Sequence, residues 1–153
     1  MNDAQPNTAS MLPARPATTP APAAAPRLAV HLARSAEELE EAQRLRYKVF
    51  VEEMGARLTH RDGREYDGFD PHCEHLIVRD EDSLRVIGTY RMLPPHRARE
   101  LPRLYSETEF DLARLLHLRP ALIEVGRSCV HRDYRSGSTI LLLWAGLAQY
   151  MRR

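Results

Sequence analysis

Nine consecutive residues, Ile123-Glu124-Val125-Gly126-Arg127-Ser128-Cys129-Val130-His131, set a carboxylate, a glycine and a guanidinium on what reads as one β-strand. A glycine inside a strand weakens it unless the backbone bulges or another group approaches closely, so Gly126 predicts a bulge. Strict alternation would put Glu124 and Arg127 on opposite faces; a bulge turns them towards one side. It also frees backbone amides that would serve an acyl thioester lying alongside. The chain then passes through Arg132-Asp133-Tyr134-Arg135-Ser136-Gly137-Ser138 into a helix start, where open amides and the helix dipole favour a phosphate group. A plain strand-turn-helix joint accounts for the same residues equally, and Glu124 with Arg127 equally reads as a simple ion pair.

A second group of charges lies upstream. Leu39, Ala42, Leu45, Val49, Phe50 and Met54 keep helical spacing. Arg46 interrupts them, so its stem rises from the buried side of that helix. Two readings stand, an arginine snorkelling at the edge of the core or a fixed cation beside a site. Asp67-Gly68 and Asp70-Pro71 are turn signals; their carboxylates either cap those turns or face a cationic group. His72, Cys73 and His75 crowd together, but alternation splits them between faces and no second Cys/His pair follows at finger spacing, so no metal site is expected.

The elements that must hold these groups follow from period and punctuation. Leu28, Val30 and Leu32 alternate with smaller or polar residues, a half-buried strand with order beginning at Arg27. Ser35 and Glu38 form a capping-box spacing that opens a helix of about five turns, stopped by Gly55. Ala56 to Glu74 reads as loop. His75 to Arg79 and Arg85 to Leu93 read as a strand pair joined through Asp80 to Ser83, ended by Pro94 and Pro95. Thr108 predicts a cap for a short helix from Glu109 to Leu116. Leu122 to His131 is the next strand, and a helix begun near Ser138 is still running at Arg153. No capping glycine or later strand closes it, so the chain reads as the front part of a domain that needs further strands. Residues 1–26, rich in Pro and Ala, bury too little to offset the entropy of ordering and read as a disordered tail. As a transit peptide the same stretch has only Arg15 for basic character. Residues 27–153 form the domain.

With 153 residues, 43% apolar and 28% charged, the chain can bury one sizeable core. A formal net charge of +1 argues against a nucleic-acid binder held by bulk charge. Lys48 is the single lysine. Cys73 and Cys129 lie far apart in a chain with no secretory core at its start, which fits a reducing cytoplasm better than a disulfide. The longest apolar block, Ile140 to Leu147, falls short of the roughly 18 residues a span requires, so any membrane contact is expected to be peripheral.

These segments, taken with their neighbours, resemble a family. Leu45-Arg46-Tyr47-Lys48-Val49-Phe50, Tyr66-Asp67-Gly68-Phe69-Asp70-Pro71-His72-Cys73, Ile87-Gly88-Thr89-Tyr90-Arg91, Tyr105-Ser106-Glu107-Thr108-Glu109-Phe110-Asp111 and Glu124-Val125-Gly126-Arg127-Ser128-Cys129-Val130 are similar to the L-ornithine N-alpha-acyltransferases, also labelled hemolysin-like proteins. The match runs in register from Arg27 to Arg153. A more distant likeness is to the acyl-homoserine-lactone synthases, whose charged positions fall here on Arg46, Asp67, Asp70, Arg91, Glu124 and Arg127, with Phe50 beside them.

The resemblance implies an α/β (α+β) domain of the N-acetyltransferase-like (GNAT) fold, a mixed sheet flanked by helices. It implies transfer of a 3-hydroxyacyl group from acyl carrier protein to the alpha-amine of L-ornithine, the first step of ornithine-lipid synthesis, in the cytoplasm or peripherally at the inner membrane. No cofactor is expected besides the carrier's phosphopantetheine arm. In this reading Glu124 orients or deprotonates the amine, amides at the bulge stabilise the oxyanion, and Arg127 with Arg91 holds the substrate carboxylate. Asp67 and Asp70 face the cationic end, and Arg46 and Phe50 complete the substrate side. Gly126, Ser128, Val130, Arg135, Gly137 and Ser138 lie on the donor side. The pyrophosphate loop of the coenzyme A users lacks its paired small residues here, which argues against that donor. Two alternatives stand beside this: another acyltransferase of the fold, homoserine-lactone-synthase-like or coenzyme A-dependent, or a silent truncated module that binds carrier protein or a second chain. His96 to Arg99 with Arg103 reads as a solvated basic face, or as a dock for an acidic carrier or anionic lipid.

Overall fold

A computed structural model describes residues 26–58 and 62–152. Except for Pro26, the expected tail lies outside the described residues. Four strands, β1 (Leu28–Leu32), β2 (Glu74–Asp80), β3 (Arg85–Leu93) and β4 (Glu124–Val130), form one sheet in the order β1-β2-β3-β4. All three pairings are antiparallel; the parallel pairing of a mixed sheet is not among the described strands. One helix lies on each face. Ala42, Leu45 and Val49 pack with Ile77, Val86 and Cys129 on one side, and Leu143 with Leu76, Val78, Ile87 and Met92 on the other. Two cores on opposite faces follow from period-2 strands that are apolar on both sides, as β2 and β3 are. The helices are α1 (Ala36–Arg46) and α3 (Ser138–Tyr150), with a single turn, α2 (Pro95–Ala98), after β3.

Several boundaries differ from expectation. The Ser35 hydroxyl accepts from the Glu38 amide at 3.2 Å, but Glu38 reaches back one residue further, accepting from the Arg34 amide at 2.7 Å. The first helix is not five regular turns: Tyr47–Glu53 widens into a π-helix. Val49 stays buried, whereas the widened turn carries Met54 off the buried face to 71% exposure. Gly55, at φ 77°, ends it as expected. The loop before β2 contains a 3₁₀ turn at Asp70–His72. In place of a helix from Glu109, two 3₁₀ segments occur, Ser106–Thr108 and Ala113–Ala121, and Thr108 Oγ1 donates back to the Tyr105 carbonyl at 2.6 Å instead of capping. Arg119 ties this stretch to the carbonyls of Ala98 and Leu101 at 3.0 and 2.8 Å. The last strand is Glu124–Val130, shorter at both ends than expected, and α3 closes at Tyr150.

Candidate active site

Arg46 leaves α1 on its sheet-facing side and is fully buried. Its Nε lies 2.7 Å from Glu65 Oε2 and its Nη2 2.5 Å from Asp70 Oδ2; Nη2 also donates to the Glu65 carbonyl at 2.6 Å. Asp70 Oδ1 accepts from Arg91 Nη1 at 2.7 Å, and the same nitrogen reaches Asp67 Oδ1 at 2.6 Å. Asp67 Oδ2 lies 3.2 Å from Arg127 Nη2, and Arg127 Nε donates to Glu65 Oε1 at 2.8 Å. Three guanidinium groups and three carboxylates therefore alternate around a closed cycle, Arg46-Glu65-Arg127-Asp67-Arg91-Asp70. Alternation lets every charge leave water with two partners, which offsets a desolvation cost that a lone buried pair barely recovers. Gln43 adds a donor to Asp70 Oδ2 at 3.0 Å. Burial would push the Asp70 carboxyl up, but Arg46 and Arg91 beside it hold it below its ordinary value. His75, whose Nδ1 faces Arg46 Nη1 at 3.5 Å, is pushed down to about 4, first by burial.

Tyr105 stands over this cycle. Its ring centroid lies 4.5 Å from the Arg127 guanidinium carbon and 5.8 Å from that of Arg91, and it meets Phe69 edge-on at 5.8 Å. Such stacking fixes the plane of each fork. Two cavities meet at Arg127 and Tyr105. The wider, about 590 Å³, runs past Phe50, Met54 and Leu58 to Glu65 and Ser128. The narrower, about 190 Å³, is lined by Cys73, Arg91, Glu124 and Gly126 among others. Burial raises the Cys73 thiol to about 12, so it stays protonated and is no nucleophile at neutral pH.

The strand bulge lies one residue beyond the glycine that predicts it. Arg91 pairs with Gly126 and Thr89 with Cys129, so Arg127 and Ser128 together oppose Tyr90. Arg127, not Gly126, takes the left-handed conformation, at φ 51°. A non-glycine residue accepts that conformation only when its surroundings fix it, and here the side chain is held by Glu65, Asp67 and Tyr105. Gly126 instead leaves space: a methyl group there would meet nothing within 4 Å. Glu124 and Arg127 both line the narrow cavity but do not pair. Glu124 Oε1 accepts from the Ser106 amide and hydroxyl at 2.7 and 2.5 Å, and Oε2 from the Tyr105 amide at 2.9 Å. The carboxylate thus orders the loop that carries Tyr105.

Of the residues expected at a site, Glu124, Arg127, Gly126, Ser128, Arg91 and Phe50 line these cavities. Asp67 joins them through the ion cycle, partly exposed, whereas Arg46 and Asp70 lie beneath and brace it, 0% and 5% exposed. The remaining donor-side residues lie elsewhere. Val130 packs with the core under α3. Arg135 donates to the Val130 carbonyl at 3.0 Å and to Glu53 at 2.7 Å. Gly137, at φ 94°, caps α3, which begins at Ser138. Glu65, Tyr105 and Gln43 were not singled out from the sequence, and His75 was weighed there only as a metal ligand. Only Tyr105 carried a signal, as the first residue of one matched segment.

The acetyltransferase (GNAT) domain family matches residues 45–145. The chain belongs to that family. Within the GNAT family, the chain is 45% identical over 130 residues to the L-ornithine N(alpha)-acyltransferase of Rhodobacter capsulatus, covering 80% of this chain and 50% of that protein. It is 42% identical over 136 residues to that of Brucella abortus, covering 82% and 48%. The chain spans about half the length of the curated relatives it matches. Among solved structures, a CoA-dependent acyl-homoserine lactone synthase, BjaI, with MTA, superposes with TM-score 0.62 at 28% identity over 82% of this chain and 61% of that one. The AHL synthase LasI shares the fold, with TM-score 0.58 at 20% identity over 83% and 67%. The GNAT fold and the two likenesses agree with expectation. No helix among the described residues is long and apolar enough to cross a membrane.

Proposed function

We propose that the protein is an N-acyltransferase that moves a 3-hydroxyacyl group from acyl carrier protein to the alpha-amine of L-ornithine. The observation that carries this reading is the junction of the two cavities at Arg127 and Tyr105, with Glu124 on the narrow side and the bulge residues Arg127 and Ser128 along the wide one. The identity to relatives that bear this name supports the choice of substrate. In the reaction a neutral amine attacks the thioester carbonyl, negative charge gathers on that oxygen, and the thiolate of the phosphopantetheine arm leaves. The wide cavity, with Phe50 and Leu58 along it, suits the acyl chain. The narrow cavity suits the amino acid.

Glu124 uses about three of its four acceptor positions on the Tyr105–Ser106 loop, which leaves one to orient the amine. Arg127 and Arg91 are already paired to Asp67 and Asp70, so they meet a substrate carboxylate as part of a rigid lattice, and Asp67 Oδ2, the longest link at 3.2 Å, is the acid placed to turn towards a cationic side chain. Docking of the carrier, and peripheral contact with the inner membrane, belong to the same proposal.

The test incubates the full-length protein with 3-hydroxyacyl carrier protein and ornithine. The wild type makes N-alpha-acylornithine, and Glu124→Gln, which keeps the side-chain volume, loses about 10²-fold or more in kcat. Product from acyl-coenzyme A but not from the carrier would replace the donor, a reading the CoA-dependent synthase likeness keeps in view. Unchanged turnover in Glu124→Gln would remove that residue from the chemistry.

A further inference from the structure

A third cavity, about 320 Å³, opens between the end of α1, the start of β3 and the end of β4, and shares no lining residue with the two cavities at Arg127. It is at the lower end of the range of small-ligand pockets. Three basic groups converge there. His131 is 4% exposed, and its Nε2 lies 3.0 Å from Lys48 Nζ and 3.3 Å from Arg85 Nη2. Among the described residues neither Lys48 nor Arg85 has a carboxylate partner. The two nearest acids on α1 are engaged, Glu41 with Arg79 at 3.0 Å and Glu40 with Arg44 at 2.6 Å.

The imidazole cannot satisfy this arrangement in either tautomer. If Nδ1 accepts the Asp133 amide, 3.4 Å away, the ring proton sits on Nε2 and three donors point at one another. If the proton sits on Nδ1, facing Asp133 Oδ2 at 3.7 Å, Nε2 offers one lone pair to two cations. The first case leaves the buried Nε2–H unmet, and the second makes half-buried Lys48 and exposed Arg85 share one lone pair, so a bound acceptor would serve all three groups at once.

We propose that Lys48, Arg85 and His131 form an oxyanion site that takes a phosphate ester. A tetrahedral phosphate offers three or more acceptor oxygens, one for each of the three groups, where a carboxylate offers two. Arginine supplies a fork and lysine a point charge, the pairing common to phosphate sites. Leu45 and Val86 line the same cavity and give the ester's organic part an apolar surface. The ligand is a soluble phosphate monoester or the monoester headgroup of a lipid such as phosphatidic acid.

Lys48 is the single lysine of these 153 residues; after reductive ¹³C-methylation, which keeps its charge, its side-chain resonance, assigned by its loss in Lys48→Arg, reports this site. The full-length protein is titrated with inorganic phosphate against chloride at equal ionic strength, and separately sedimented with phosphatidylcholine vesicles with and without phosphatidic acid. The Lys48 resonance shifts saturably with phosphate, Arg85→Gln weakens the affinity at least 10-fold, and Arg44→Gln, already paired at the rim, leaves it within 2-fold. Retained thermal stability shows that each variant is folded. Vesicle binding that depends on Lys48 and Arg85 and on the anionic lipid assigns the ester to a headgroup; phosphate binding without it assigns a soluble ligand. A shift equal to that in chloride, or an unaltered affinity in Arg85→Gln, overturns the site whether or not acyl transfer is observed.

Discussion

Arg46 is the residue on which the buried charges close. With no exposure and two anions at 2.7 and 2.5 Å, it cannot be removed without leaving Glu65 and Asp70 each short of a partner. Breaking one partner out of a buried ionic group costs about 3–5 kcal/mol. Arg46→Met is expected to lower the unfolding free energy by that amount, read as a lower denaturation midpoint with the m-value unchanged. Arg46→Lys should recover little, because one ammonium cannot reproduce a fork that spans Glu65 and Asp70. Near-complete recovery by lysine would mean that charge, not geometry, holds the cycle. The sequence exposed Arg46 because it broke an apolar stripe, and it left open whether the residue snorkels. It could not join Arg46 to Arg127, because the six members lie on two strands, a helix and a loop, and no periodicity links them. Glu65 and Tyr105 were missed for that reason: loop residues carry no pattern, and their burial arises from tertiary closure.

At the level of elements, strands were legible and irregular helices were not. Alternation and the Pro94-Pro95 stop placed β3 at Arg85–Leu93 as observed. The 3₁₀ segments after it take their shape from tertiary contacts, Glu124 holding the first from outside and Arg119 reaching out of the second to the Ala98 and Leu101 carbonyls, which local propensity does not register. The bulge was foreseen from Gly126 but fell on Arg127, because side-chain anchoring outweighed glycine's freedom. The seat of α3 is a packing question of the same kind. A methyl at Gly146 would stand 2.9 Å from Val30 Cγ2 and 3.0 Å from Leu76 Cδ2, so α3 rides on the sheet through a hydrogen atom. Gly146→Ala gains about 1 kcal/mol of helix propensity but meets a stiff β-branched neighbour and a leucine only 3% exposed, and overpacking costs about 1–3 kcal/mol. A net loss of about 1 kcal/mol in chemical denaturation is expected. A gain in stability would show that the sheet yields and that propensity decides.

For the molecule as a whole, the buried histidine and the lowered carboxyls respond differently to acid, and the difference is measurable. The α1 face carries His75, with a folded pKa of about 4 against an ordinary 6.5, first because it is buried and then because Arg46 adjoins it. The unfolded chain therefore binds a proton between those values that the folded chain refuses. The stability this group contributes is complete above pH 6.5 and is lost as pH falls towards 4, about 3 kcal/mol in all. His131, lowered by burial and by Lys48 and Arg85, adds to the same window. Asp70, held down on this face, acts at lower pH, with Asp80 at the other end of β2. Asp80 lies at about 2 because the Tyr134 hydroxyl, the Ser83 hydroxyl and the Asp82 amide donate to it. Carboxyls lowered in this way contribute stability above their unfolded values and lose it below about pH 4. Acid unfolding should thus show two falls, one between pH 6.5 and 4 and a steeper one beneath. Denaturation midpoints at pH 7.5, 5.5, 4.5 and 3 are expected to show that His75→Gln flattens the first fall, leaving the His131 share, while the second persists. If the slope between pH 6.5 and 4.5 matched the wild type, His75 would be protonated freely in the folded state, and the tight contact between α1 and β2 around Arg46 would not exist.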